Sequence, residues 1–225
     1  MLDMSRVEWT PEEDIDLSYI KDALIYRKGV VYNGIIYASK HRCTLEEFTS
    51  RLRNGVYVGP TDKTGIVGNS CSSALINCWK TVYPALLATN SYTLLPLGEG
   101  GTLPVGEYVI ADSDASSGDV VSRSGRDAIY RSYAFARAGD ALVSAGGEQW
   151  KELRRGHTRM VMSVSTAERS DGRIDPARSF VTTLEQTSRF DRFSDLNTTW
   201  WVGHEYSFAD LCVKNYLPVT LPIFG

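Results

Sequence analysis

The residues His157-Thr-Arg-Met-Val-Met-Ser-Val164 have the clearest β-strand pattern of the chain and decide its fold class. The segment is short, rich in β-branched and apolar side chains, and begins directly after a glycine. Because side chains alternate between the two faces of a strand, three of them are expected to point into the core: Met160, Met162 and Val164. His157 is then expected at the edge of the strand, where a loop opens.

Three further segments of the C-terminal half have the same character and are separated by Gly, Asp or Pro turns: residues 140–144, 179–186 and 199–208. Three main helices are predicted on the N-terminal side of these strands, over residues 10–26, 69–83 and 126–138. Helices followed by an antiparallel meander are typical of the α+β class. We therefore predict an α+β fold in which N-terminal helices pack on a C-terminal antiparallel β-sheet.

The first predicted helix has the usual signals of a helix N-terminus. Thr10 can cap it, a proline follows at the first helical position, and acidic residues fill the first turn. A second helix start is indicated by Thr44 and Glu47, which are spaced as in a capping box. We expect residues 1–28 to form a helical extension and residues 29–225 to form the main domain.

The central segment Asn69-Ser-Cys-Ser-Ser-Ala-Leu-Ile-Asn-Cys-Trp-Lys-Thr-Val-Tyr83 contains neither glycine nor proline. It places four small or apolar side chains on one helical face: Cys71, Ala74, Leu75 and Cys78. Cys71 is therefore predicted in the first turn of a buried helix. In that position the helix dipole favours a thiolate, and the first amide groups can receive a developing oxyanion. The alternative is that Cys71 is simply a small buried hydrophobe.

Composition excludes several classes of protein. The 225 residues carry 24 Lys and Arg against 27 Asp and Glu, and they lack the clustered basic residues of a nucleic-acid-binding protein. The longest uncharged stretch, residues 81–98, contains two prolines and several polar residues, so no membrane span is predicted. The N-terminal residues lack the apolar segment of a secretory signal. We expect either a cytoplasmic protein or an exported one whose leader has been removed.

No metal or cofactor site is predicted. The four cysteines are widely spaced without a CxxC pair, and His41-Arg-Cys43 lacks the glutamate and the cysteine pair of a zinc deaminase. The acidic segment at residues 111–119 lacks the spacing of an EF-hand, so we interpret it as a solvated loop.

A catalytic cysteine needs a base that takes its proton and a third group that orients the base. Of the three histidines, His157 has the clearest strand context, while His41 and His204 lie in less ordered sequence. The next strand ends in Glu185 and Gln186, and a hairpin could bring either side chain beside His157. Because alternation puts these two on opposite faces, only one of them can face the imidazole.

Three short segments resemble the NlpC/P60 cysteine peptidases. Asn69-Ser-Cys-Ser-Ser-Ala-Leu75 is similar to their Asp-Cys-Ser-Gly-Leu-Val box. Ala138-Gly-Asp-Ala-Leu-Val143 and Gly156-His-Thr-Arg-Met-Val161 are similar to their Pro-Gly-Asp-Leu-Val and Gly-His-Val-Gly-Ile-Tyr segments, in the same order. The resemblance covers roughly residues 37–186 and implies the circularly permuted papain-like fold of that superfamily.

The resemblance implies a role for each matching residue. Cys71 corresponds to the nucleophile and His157 to the general base. The third catalytic residue resembles the glutamate of the related CHAP amidases, which favours Glu185 over Gln186. Substrate-binding positions are implied at five residues: Tyr37, Ser70, Ser72, Arg159 and Gln186.

The activity implied by the resemblance is hydrolysis of peptide or amide bonds in bacterial cell-wall peptides, through a thioester and without a cofactor. The partner would be a peptide or peptidoglycan fragment, which would place the protein outside the cell or at the cell wall. The apolar C-terminal end is expected to pack on the domain or to continue into a further one. Ser70 replaces the family's aspartate and Ser73 its glycine, so the alternative is an inactive binding or structural module.

Overall fold

The structure is a computed structural model that describes residues 1–38, 42–97, 100–110, 114–146 and 156–224. This part of the chain is a mixed α/β structure with six helices and three β-sheets. The helices are α1 (Leu2–Arg6), α2 (Leu45–Thr49), α3 (Cys71–Val82), α4 (Ser117–Ser124), α5 (Arg126–Phe135) and α6 (Phe208–Val213). The chain divides into two compact units, Met1–Cys78 with Leu184–Val202 and Trp79–Thr183 with Gly203–Gly225.

The first unit contains a four-stranded sheet and a two-stranded one. Their strands are β1 (Glu8–Pro11), β2 (Ile15–Asp16), β3 (Ile25–Tyr26), β4 (Tyr32–Asn33), β5 (Leu52–Arg53) and β6 (Val56–Tyr57). The larger sheet has the order β4-β1-β6-β5, in which β1 is antiparallel to β4 and parallel to β6. β5 pairs antiparallel with β6, and β2 pairs antiparallel with β3.

Trp9 in β1 is the centre of an aromatic core in the first unit. Its side chain is 1% exposed, and four rings have centroids within 5.7 Å of its own: Tyr26, Tyr32, Phe48 and Tyr57. Tilted and edge-to-face ring contacts of this kind stabilise a core beyond the apolar area that they bury. The Trp9 indole N–H also donates to the carbonyl of Gly34 at 2.8 Å, so this core holds the turn that follows β4.

The remaining strands form a six-stranded sheet. They are β7 (Leu103–Pro104), β8 (Ala141–Ala145), β9 (Gly156–Ser165), β10 (Phe180–Gln186), β11 (Trp200–Ser207) and β12 (Leu217–Thr220). Their order is β11-β10-β9-β8-β12-β7, and β8 pairs antiparallel with both β9 and β12. The chain passes from one unit to the other within α3, β10 and β11.

Most of the central and C-terminal elements are confirmed. The helices predicted over residues 69–83 and 126–138 are α3 and α5, and the four predicted strands are β8 to β11, with ends shifted by only a few residues. The capping box of Thr44 and Glu47 is present at the start of α2. The predicted combination of helices and an antiparallel sheet is therefore correct in its coarse form.

The helix predicted over residues 10–26 is wrong. That segment contains the end of β1 and the β2–β3 pair, and residues 1–28 are helical only in α1 and belong entirely to the first unit. The amide of Thr10 donates to the carbonyl of Gly55 at 2.9 Å, so strand pairing takes the place of helix capping. The fully buried Leu17 closes a turn through a 2.9 Å bond from its amide to a carbonyl seven residues later.

The predicted burial of β9 is also wrong. The three side chains expected in the core are only half-buried: Met160, Met162 and Val164. The buried residues of the strand are Thr158, Arg159 and Val161. At Arg159, on the face opposite the methionines, two aromatic rings cover the side chain. The Arg159 guanidinium carbon lies 4.0 Å from the ring centroid of Tyr206 and 4.3 Å from that of Tyr216.

Candidate functional site

Cys71 lies in the first turn of α3, as the sequence predicts; it is the first residue of the helix and is 8% exposed. Ser70 and Ser73 cap the helix reciprocally. The Ser70 amide donates to Ser73 Oγ at 2.7 Å, and the Ser73 amide donates to Ser70 Oγ at 3.4 Å. Ser72 is half-buried, with its Oγ 3.5 Å from that of Ser70. The two departures from the family's cysteine box therefore stabilise the N-terminus that carries Cys71.

The residue before this cap is held against an extended segment of the first unit. The amide of Asn69 donates to the carbonyl of Ile36 at 3.0 Å, and its carbonyl accepts from the amide of Ala38 at 3.0 Å. Tyr37 and Asn69 are consequently paired in a parallel bridge. This pairing places the main chain of Tyr37 beside the entry to α3.

The side chain of Asn69 is completely buried and belongs to a network of amides. Its Oδ1 accepts from the amide of Cys43 at 3.3 Å, and its Nδ2 donates to the Cys43 carbonyl at 2.8 Å. Asn77, in the second turn of α3, donates to the same carbonyl at 2.8 Å and to Asn69 Oδ1 at 3.2 Å. These bonds join the start of α3, its second turn and the segment that precedes α2.

Tyr37 is close enough to Cys71 for the two side chains to interact electrostatically. Burial raises the pKa of the half-buried Tyr37 hydroxyl well above its usual value, and the neighbouring Cys71 thiol raises it further. The hydroxyl is therefore protonated at neutral pH and can donate a hydrogen bond. The amide of Tyr37 donates to the hydroxyl of Tyr26 at 3.0 Å, which fixes the main chain at this position.

Gln186 supports the loop that leads to Tyr37. Its side chain is fully buried, and its Nε2 donates to the carbonyl of Ile35 at 2.7 Å. The same carbonyl accepts from Nε1 of Trp200 at 2.9 Å. Glu185 is 1% exposed and lies on the opposite face of β10 from Gln186, as the alternation of a strand requires.

His157 lies near the start of β9 and is half-buried. It pairs with Ser144 of β8 in antiparallel register and shares a face of its strand with Arg159. Cys71 and Glu185 belong to the first unit and His157 to the second. Each of the three lies on the element where it was predicted, and the triad that they would form is argued below as a proposal.

The other cysteines differ from Cys71 in their surroundings. Burial raises the pKa of the Cys43 thiol to about 12, with a smaller contribution from the nearby Glu47 carboxylate. Burial likewise raises the pKa of the Cys212 thiol, while Cys78 is half-buried. Because a protonated thiol is a poor nucleophile, the raised pKa values lower the reactivity of Cys43 and Cys212 at neutral pH.

The described residues contain no group of three His, Cys, Asp or Glu side chains that could hold a metal ion. The acidic loop lies partly outside these residues, and Asp119 at its end belongs to the capping box of α4 with Ser116. His41 also lies outside them, while His204 is a half-buried residue of β11. In the same part of the chain, no helix is long and apolar enough to cross a membrane.

Sequence analysis missed the amides that hold the entry to α3. Asn69 and Asn77 form that network, and the hydroxyl of Tyr26 holds the Tyr37 amide. One signal was available, since Ser70, Ser73 and Asn77 are polar residues that recur at positions i, i+3 and i+7 at the start of the helix. Their partner Cys43 lies far away in sequence and could not be identified from that spacing.

No protein-family model matches this chain, and no curated protein or solved structure matches it significantly. The resemblance to the NlpC/P60 peptidases therefore rests on the segments around Cys71 and His157.

Proposed function

We propose that the protein is a thiol hydrolase of the NlpC/P60 type, with a papain-like fold, that cleaves peptide or amide bonds in bacterial cell-wall peptides. The observation that carries this proposal is the position of Cys71, at the first residue of the capped helix α3 and two residues after the main-chain bridge between Asn69 and Tyr37. A helix N-terminus favours the thiolate form of a cysteine, which is the form that attacks a carbonyl carbon.

The proposed reaction has two halves. Cys71 Sγ attacks the carbonyl carbon while His157 takes the thiol proton, and the tetrahedral intermediate places its negative oxygen at the Cys71 amide. The C–N bond breaks, His157 returns the proton to the leaving amine, and a thioester remains on Cys71. Water activated by His157 then hydrolyses the thioester and releases a carboxylate. Glu185 orients the imidazole, with Gln186 as the second candidate for that role.

The capping pattern supports this chemistry. The cap consists of bonds from the amides of Ser70 and Ser73 to the hydroxyls of the same two residues, on either side of Cys71. Both caps are neutral hydroxyls, whereas an aspartate at position 70 would place a negative charge next to the thiolate. The replacement of the family's aspartate by Ser70 is therefore compatible with an active thiol.

The surroundings of Gln186 favour Glu185 as the third catalytic residue. The Gln186 amide group already donates to the Ile35 carbonyl and thereby supports the loop before Tyr37. Glu185 is a carboxylate on a fully buried part of β10, and a carboxylate stabilises an imidazolium more strongly than an amide does. We assign the orienting role to Glu185 and a supporting role to Gln186.

The deciding experiment is the rate of iodoacetamide labelling at Cys71 as a function of pH, in the wild type and in His157→Ala, with peptide mass spectrometry as the readout. We expect fast labelling at pH 6 to 7, well below the value of about 8.5 at which a free cysteine titrates. This advantage should disappear in His157→Ala and persist in the control His204→Ala. Cys43 should stay unlabelled throughout, because its pKa is about 12.

Hydrolysis is then measured on peptidoglycan stem peptides, with Cys71→Ala as the inactive control. The resemblance implies cleavage next to γ-glutamyl or diamino acid residues. If Cys71 is inert, or labels identically in the wild type and in His157→Ala, the catalytic proposal is wrong. The chain would then be a binding or structural module.

A further inference from the structure

We propose that Asn69 and Asn77, bonded to each other and to the main chain of Cys43, form an amide clamp that sets the reactivity of Cys71. The clamp residues are positioning residues, since they would act on the thiol through the helix that carries it. The proposal rests on the thiol-hydrolase function above. Its test is therefore arranged so that the two can fail separately.

Four hydrogen bonds connect the clamp residues with the main chain of Cys43 and with each other. Asn69 Oδ1 accepts two, from the amide of Cys43 and from Asn77 Nδ2, which uses both of its lone pairs. Asn69 Nδ2 donates to the Cys43 carbonyl at 2.8 Å and lies 3.8 Å from Cys43 Sγ. Asn77 Nδ2 donates its two protons to the Cys43 carbonyl and to Asn69.

Such a network specifies geometry more than it adds stability. Burying an amide side chain is costly unless its donors and acceptors are paired, so an apolar pair of similar size would hold the elements together as well. Apolar side chains, however, would allow α3 to slide or rotate against the segment of Cys43. Four directional bonds between three residues allow no such movement.

The clamp holds the chain on both sides of Cys71. Asn69 lies two residues before the thiol and Asn77 six residues after it, so their mutual bond closes the first two turns of α3 into a loop. The main chain of Asn69 is at the same time paired with Tyr37. These connections therefore fix the start of α3, which carries the thiol, relative to the main chain of Tyr37.

Loss of the clamp should first lower the reactivity of the Cys71 thiol. If the first turn of α3 is free to fray, its amides no longer point steadily at Cys71 Sγ, and the thiolate loses part of its stabilisation. Tyr37 would also be released from its fixed position beside the thiol. Both effects reduce the fraction of thiolate at neutral pH.

The test uses Asn77, because it is half-buried and therefore tolerates substitution better than the fully buried Asn69. Asn77→Leu removes both donors, and Asn77→Asp places a carboxylate against two acceptors, the Cys43 carbonyl and Asn69 Oδ1. We expect both variants to shift the midpoint of Cys71 labelling upward by about one pH unit. The labelling rate at pH 6.5 would then fall about tenfold.

The control Ile15→Val lowers the stability of the same unit at a buried site outside the clamp. It should leave the labelling midpoint unchanged, which separates a general loss of stability from a loss of positioning. Asn77→Ser is the milder variant, and it decides the question if Asn77→Asp does not fold. Hydrolysis of stem peptides should fall in parallel with labelling.

The proposal is overturned if folded Asn77→Leu or Asn77→Ser shows the wild-type pH profile of Cys71 labelling. Failure of the hydrolase function gives a different result, because then the wild type itself lacks fast labelling below pH 7 or keeps it in His157→Ala. A profile that shifts equally in Ile15→Val would also overturn the clamp, since it would assign the change to stability alone.

Discussion

The main chain of Tyr37 is paired in a parallel bridge with that of Asn69, which lies two residues before Cys71. The residues between the two partners include α2 and the β5–β6 pair, so the pairing closes a long excursion of the chain. Because the bridge uses main-chain atoms, the length of that excursion has no effect on where Tyr37 lies. The 34-residue interval between Tyr37 and Cys71 therefore still brings the main chain of Tyr37 to the start of α3.

The first prediction concerns the cap of α3. Ser70→Ala and Ser73→Ala each remove one hydroxyl of the reciprocal pair, and each should lower the free energy of unfolding by about 1 kcal/mol. The labelling rate of Cys71 at neutral pH should fall as well, because a frayed first turn stabilises the thiolate less. Urea denaturation and pH-dependent labelling measure the two effects.

The control for the cap is Ser116→Ala in α4, which removes an equivalent N-cap in the second unit. It should cost a similar amount of stability and leave the labelling of Cys71 as it is in the wild type. Equal loss of labelling in Ser116→Ala and in Ser70→Ala would contradict the local role of the cap.

The second prediction concerns stability at alkaline pH. The pKa of the Cys43 thiol is raised from 9.0 to about 12 in the folded protein, so between these values the unfolded chain releases a proton that the folded one keeps. The contribution of this thiol to the free energy of unfolding should consequently be fully present below pH 9 and be lost as pH rises towards 12. One such group contributes a slope of at most about 1.4 kcal/mol per pH unit.

Urea denaturation at pH 8, 9, 10 and 11 measures this slope. Cys43→Ala should flatten it from pH 9 upward, whereas Tyr26→Phe should flatten it only above pH 10, because burial raises the pKa of Tyr26 from 10.0 to about 12. Asp62→Asn is a control that should leave the alkaline slope unchanged, since its carboxyl pKa is lowered. An unchanged slope in Cys43→Ala would show that this thiol titrates normally.

Local patterns were sufficient to predict the elements that carry the candidate catalytic residues. α3 follows a continuous helical pattern with one apolar face, which places Cys71 in its first turn. β9 and β10 lie in short segments rich in β-branched and apolar side chains. Residues 10–26 carry equally good local helix signals, yet they form strands. There the pairing of Thr10 with Val56 outweighs intrinsic propensity, and this partner is distant in sequence.

In the candidate site, too, local sequence predicted some features and could not predict others. Cys71 and its serine cap lie within four residues of one another, so the sequence segment around them was informative. The amide clamp depends on Cys43, which is 26 residues from Asn69, and no periodicity reports such a contact. The burial of Arg159 was missed for the same reason, because the rings that cover it belong to later segments.

The third prediction concerns Arg159 in the second unit. Its guanidinium carbon lies 4.0 and 4.3 Å from two tyrosine rings, and a planar cation can stack on such rings while a lysine ammonium cannot. Arg159→Lys should therefore lower the free energy of unfolding by about 1 kcal/mol. Thermal and urea denaturation provide the measurement.

The comparison for Arg159 is Arg173→Lys. Arg173 is exposed and bonded to Asp171, which is also exposed, so this substitution should have no measurable effect on stability. If both substitutions leave stability unchanged, the cation–π contacts of Arg159 with the two tyrosine rings do not contribute to stability. The burial of Arg159 then needs another explanation.

The fourth prediction compares two glycines of the first unit that both have a positive φ. Gly29 has φ +75° and no atom within 4 Å of the place where a Cβ would lie, so Gly29→Ala should cost about 1 kcal/mol from the backbone alone. Gly34 has φ +84°, but its Cβ would lie 2.6 Å from Nε1 of Trp200.

Gly34→Ala should therefore cost about 2 to 4 kcal/mol, because overpacking adds to the backbone strain. The displaced indole of Trp200 would lose its 2.9 Å bond to the Ile35 carbonyl, which belongs to the loop before Tyr37. Urea denaturation of the two variants gives the difference between them, and intrinsic tryptophan fluorescence should change only in Gly34→Ala. Equal costs for the two alanines would mean that the turn moves away from Trp200 without loss, and the close packing of Gly34 against the indole would then not be what holds this loop.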